Sequence, residues 1–77
     1  MKSHILNAAI EANLSALVDG LERAAVLGSM ARKAMQTDER NLAIGTILPL
    51  EQDLPMLAGL LTAILVLHRN AGKGGAS

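Results

Sequence analysis

Few residues in this chain are equipped for chemistry. There is no cysteine and no tyrosine, which removes the thiolate and phenolate nucleophiles. The two histidines, His4 and His68, lie at opposite ends of the sequence. An antiparallel hairpin would bring those ends together, but a structural zinc site takes four ligands. The acidic residue nearest His4 in sequence is Glu11, about two helical turns away. His4 reads as a solvated terminal side chain and His68 as a cation near a helix C-terminus. Glu51 and Asp53 look like a carboxylate pair, yet residues two apart on a helix do not share a face, so they read as a solvated arc. Ser15 and Ser29 read as ordinary helix-surface residues. No nucleophile–base pair is set up by spacing and no cofactor motif is present. The expectation is a protein without catalysis, cofactor or metal.

One run has binding character. Arg40-Asn41-Leu42-Ala43-Ile44-Gly45 places donors beside a small residue at the start of a helical segment, and a helix N-terminus can hold an anion. Arg40 and Asn41 are therefore the candidate ligand-binding residues, for a small phosphate-bearing molecule held between protomers. These six residues resemble the opening of the second helix in the hairpin family of phage anti-defence proteins that sequester cyclic nucleotide signals. The resemblance implies an alternative function, a small-ligand module acting as a sponge of nucleotide signals. It stops at Gly45. The chain has no aromatic side chain to stack a base, and Ile47, Leu48 and Pro49 replace the polar positions that follow, so no site residue carries over.

The elements around these residues are helical. From Ser3 to about Met35, Ile10, Leu14, Leu17, Leu21, Ala24, Gly28, Ala31 and Met35 recur at alternating steps of four and three, the spacing of one helix face. Ser3 reads as the N-cap, and Arg32 and Lys33 suit the negative end of the helix dipole. Gln36-Thr37-Asp38 forms a short connection, with Thr37 as the next N-cap and Asp38 and Glu39 in the first turn. A second stripe runs through Ala43, Ile47, Leu50, Leu54, Leu57, Leu61, Ile64 and His68. Pro49 and Pro55 interrupt it at roughly 3 kcal/mol apiece, but the phase does not slip across them. One kinked helix is favoured over two helices broken between residues 48 and 54. Gly72 is the expected terminator. The predicted fold is all-α: a single hairpin domain over residues 1–70, with helix one at about 4–35 and helix two at about 38–70. A flexible glycine-rich tail is expected over residues 71–77.

Packing patterns carry the rest. Ala8, Ala12, Ala16, Gly20, Ala24 and Gly28 recur every four residues, a ridge of small side chains along the row used in the commonest class of helix crossing. A hairpin turning near residue 36 places Gly28 close to Gly45, where the backbones would approach closely. Met30, Met35 and Met56 read as gap-fillers in a core. The stretch Leu54–Leu67 has Thr62 as its one polar interruption. At 14 residues it falls short of the roughly 20 needed to span a bilayer, and the N-terminal apolar residues, broken by Asn7, Glu11 and Asn13, do not form a signal sequence. A helix apolar on every side must be covered on every side, and helix one covers only one.

Leu54, Leu57, Leu60, Leu61, Ile64, Leu65 and Leu67 are therefore the expected self-association residues, in a dimeric four-helix bundle or a higher helical oligomer. Seven acidic and seven basic residues cancel, and with no aromatics this disfavours nucleic acid as a partner. The leading expectation is a small oligomeric interaction protein (adaptor, regulator or inhibitor) whose partners are itself and another protein's helix. The absence of cysteine suits a reducing cytoplasm.

Overall fold

The computed structural model describes the backbone of residues 2–76 and the side chains of residues 4–70. It is all-helical, with no strand among the described residues: α1 spans Lys2–Gln36, α2 Arg40–Ile47 and α3 Leu50–Ala76. α1 runs antiparallel to α2 and α3, which together form one bent helix. The favoured reading of a single kinked second helix is the one observed. α1 begins at Lys2, so Ser3 lies inside the helix and is not its cap.

The end of α1 is set by backbone geometry. Asp38 adopts φ 63°, the left-handed conformation that usually requires glycine. Its N–H donates to Met35 O at 3.1 Å, and Glu39 N–H donates to Ala34 O at 2.9 Å. This pair of bonds is the Schellman closure, with Asp38 at the position glycine commonly fills. The Thr37 hydroxyl lies 3.0 Å from Ala34 O and 2.8 Å from Glu39 Oε1, so Thr37 secures the end of α1 and does not cap the next helix. The residue preceding α2 is Glu39, whose side chain makes no capping bond. Asp38, expected in the first turn of helix two, is excluded from it by its positive φ.

The bend falls at Leu48-Pro49. Thr46 Oγ1 donates to Leu42 O at 2.7 Å, a back-bond that bends helices, and Pro49 has no N–H to continue the ladder. The chain closes the gap with a tighter bond from Glu51 N to Leu48 O before the four-residue pattern resumes from Asp53 N to Pro49 O. Pro55 lies inside α3 without ending it. α3 also runs past Gly72 to Ala76. No described glycine has positive φ, so Gly72 does not form the left-handed cap that would stop the helix there.

The seam between the two arms is made of small residues. The buried side chains are Ala31, Ala34, Ala43, Leu57 and Ile64, and Ile47 packs on the alanine cluster beside the turn. Leu6, Ile10, Asn13, Leu17, Ala24 and Leu27 are half-buried along α1. Asn13 satisfies its amide within its own helix, donating to Ala9 O at 2.8 Å. Because the turn is centred on Asp38, Gly20 lies under Leu57 and Ala34 packs with Ala43. This register is displaced by one turn from the expected pairing of Gly28 with Gly45. An added Cβ at either of those glycines meets nothing within 4 Å, so the close approach is at the alanine cluster and Gly20. The hairpin is a rod of 59 × 15 × 13 Å with a radius of gyration of 17.5 Å, against about 11 Å for a compact chain of this length.

Candidate functional site

Most of the large aliphatic side chains are left outside the seam. Among the described residues, fifteen large hydrophobic side chains are exposed, from Leu65 and Val66 at 42% to Met56 at 69%. By contrast, of the six buried residues three are alanines and one is Gly20. The accessible surface is 5979 Å², whereas a compact monomer of this mass exposes about 4,500 Å². The excess of about 1,500 Å² is close to twice the roughly 800 Å² each partner contributes to a standard interface.

The sequence-predicted association residues divide between two tasks. Leu57 and Ile64 are buried against α1, and Leu60 and Leu67 are half-buried. Leu54, Leu61 and Leu65 are exposed. On α1 the residues expected on one face also divide. Ile10, Leu17, Ala24, Gly28 and Ala31 turn toward the seam, while Leu14, Leu21 and Met35 are exposed, as is Val18. Met30, Met35 and Met56, read as core fillers, are all exposed and lie outside the seam.

Two flanks result. One carries Leu14, Val18 and Leu21 of α1 alongside Leu54, Leu61 and Leu65 of α3, one heptad position beyond the seam on each helix. The opposite flank is an open groove of about 460 Å³ lined by Ala16, Gly20, Arg23, Asp53, Met56, Leu57, Gly59 and Leu60. The expected small-residue ridge crosses from surface to seam. Ala8, Ala12 and Ala16 are exposed, Gly20 is buried, and Ala24 and Gly28 are half-buried. A row of residues four apart is inclined to the helix axis, so it cannot stay on one face over six members. Gly45 is exposed.

Arg40 and Asn41 are exposed and share a shallow depression with Met35 and Asp38. The Asp38 carboxylate on its rim opposes an incoming anion, and the helix it would use, α2, lacks a side-chain cap. Among the described residues no three His, Asp or Glu side chains gather as a metal site.

Arg40–Asn70 is, by length and composition, long and apolar enough to cross a membrane, with a mean hydropathy of 1.5 over an 18-residue window of which 11% is buried. The apolar run Leu54–Leu67 forms part of this bent segment of 31 residues. No family model, no curated protein and no solved structure matches this chain.

Proposed function

We propose that the protein is a non-catalytic helical interaction protein that works as an assembly of two or more copies, acting as an adaptor, regulator or inhibitor through its helix faces. The observation that carries this reading is the inversion of size across the seam. Glycine and alanine hold four of the six buried positions, beside Leu57 and Ile64, while fifteen large hydrophobic side chains among the described residues face outward. Each fully exposed large aliphatic side chain forgoes roughly 1.5–3 kcal/mol relative to burial, and a 77-residue domain has only some 5–10 kcal/mol of stability in total. A second copy covering one flank supplies what the hairpin lacks and builds a four-helix bundle.

Light scattering across a dilution series tests it. The expected result is a mass of twice 8.0 kDa or more at micromolar concentration. A cooperatively folded, monodisperse 8 kDa species would overturn the proposal.

The span-length apolar helix favours a second reading, insertion into a bilayer. Its discriminating measurement is flotation with neutral phospholipid vesicles. Recovery of the chain with the lipid, and aggregation without it, would replace self-association by membrane binding.

A further inference from the structure

The flank carrying Leu21 has a charge pattern that specifies its occupant, and the inference rests on the self-association reading above. Along α1 the stripe reads Glu11, Leu14, Val18, Leu21, Ala25, Gly28 and Arg32 at helical spacing. All are exposed in the hairpin except Gly28, which is half-buried. An acid closes one end, a base closes the other, and no charge lies between them. Leu21 sits at the middle: Glu11 is about 15 Å along the helix on one side and Arg32 about 16 Å on the other.

We propose that a second copy of this chain docks on this flank with its α1 antiparallel to the first, about a two-fold axis passing beside Leu21. That arrangement stacks the apolar middle of the stripe on itself. It also sets Glu11 of each copy level with Arg32 of the other, so one pairing becomes two by symmetry. Leu54, Leu61 and Leu65 extend the covered surface on α3.

Other placements of a second copy lose the match. A parallel pair of α1 helices puts Glu11 beside Glu11 and Arg32 beside Arg32. Laying α1 over the second copy's α3 in the hairpin's own register brings Glu11 level with Val66 and Arg32 level with Gly45, neither of them charged. Like charges across an interface are strongly disfavoured and complementary ones fix register. The excess accessible surface of about 1,500 Å² is ample for the roughly 800 Å² each copy must cover.

Charge reversal tests the placement. Glu11→Arg, Arg32→Glu and the double variant are compared with the native chain by dissociation constant, with helix content checked for each. Both positions are exposed, so the hairpin itself is expected to tolerate the changes. Each single variant creates two like-charge contacts and is expected to weaken the dimer roughly tenfold at low salt, less at high salt. The double variant restores the native constant within about threefold. A single cysteine at Leu21, in a chain that has none of its own, should cross-link two copies through a short bis-maleimide, whereas one at Ala16, on the opposite flank, should not.

An associating chain whose single reversals change nothing, or whose double variant stays weakened, overturns this placement and leaves self-association standing. A native chain that is monomeric throughout overturns both.

Discussion

Gly20 and Gly59 are both interior helix glycines, and they should respond to the same substitution with opposite signs. A Cβ built at Gly20 falls on Leu57 Cδ2 and lies 3.2 Å from both Cδ1 and Cγ, while one built at Gly59 meets nothing within 4 Å. Alanine is the better helix former by about 1 kcal/mol. At Gly59 that gain is unopposed, so Gly59→Ala should stabilise the hairpin by up to about 1 kcal/mol. At Gly20, Leu57 must leave its position or the arms must separate, and overpacking of this kind costs about 1–3 kcal/mol. The net for Gly20→Ala is a loss of about 0–2 kcal/mol. Urea unfolding at one fixed protein concentration resolves this: with a slope near 1 kcal/mol per molar, the two midpoints should differ by about 1 M or more. Removing the obstacle supplies the control. In a Leu57→Ala background, itself weakened by about 2–5 kcal/mol, Gly20→Ala should become stabilising. Equal stabilisation by Gly20→Ala and Gly59→Ala in the native background would refute this reasoning, because it would mean that Leu57 does not resist a Cβ at Gly20.

Three further outcomes follow from the same geometry. Asp38→Gly should raise stability by about 0.5–1 kcal/mol and Asp38→Val should lower it by at least 1 kcal/mol, read from the thermal midpoint, since the position holds φ 63°. Pro55→Ala, at an exposed interior position of α3, should add helical signal in circular dichroism and up to about 3 kcal/mol of stability. Ile64→Ala should cost about 2–4 kcal/mol at any protein concentration, while Leu61→Ala, at a side chain 48% exposed, should act mainly through assembly, so that its midpoint shift shrinks toward zero as the protein is diluted.

The helices were legible in the sequence, and so was the continuity of the second one through Pro49, because the apolar phase survives both prolines. The seam was harder to read. On α1, Ile10, Leu17, Ala24 and Ala31 belong to the intramolecular contact, whereas Leu14, Leu21 and Met35 belong to the neighbouring flank. The two sets are offset from each other by three or four residues, so spacing alone merges them into one stripe. Residue size separates them only in the half nearer the turn, where positions 20, 24, 31 and 34 are glycine or alanine and line the seam; Ile10 and Leu17 are no smaller than Leu14 and Leu21. The one-turn error in register has a local cause. Asp38 gives no composition signal for a left-handed cap, and reading it as the start of helix two moved the centre of the hairpin toward residue 36.

The size inversion also bears on whether α3 is built for lipid. α3 does not travel alone, because α1 lies along it, with Gly20 beneath Leu57 near the middle of the Arg40–Asn70 span. Carrying that level of the hairpin to the centre of a bilayer would take Asp19, Glu22 and Arg23, all exposed, with it. Charged side chains at that depth cost about 2.5–3.5 kcal/mol each, roughly 7–10 kcal/mol for the three, and Asp53 on the adjacent wall of the groove would add to it. Opening the hairpin to insert α3 alone would abandon the buried contacts of Leu57 and Ile64. The apolar run of 14 residues, with Thr62 as its one polar interruption, covers about 21 Å of the roughly 30 Å hydrocarbon thickness. A second copy laid on the Leu21 flank meets none of these costs, because Asp19, Glu22 and Arg23 lie off the Glu11–Arg32 stripe and can remain in water. The chain should therefore stay in the aqueous fraction on vesicle flotation, and so should a variant whose Glu11 and Arg32 contacts have been made repulsive, because the cost of carrying Asp19, Glu22 and Arg23 into lipid does not depend on the second copy.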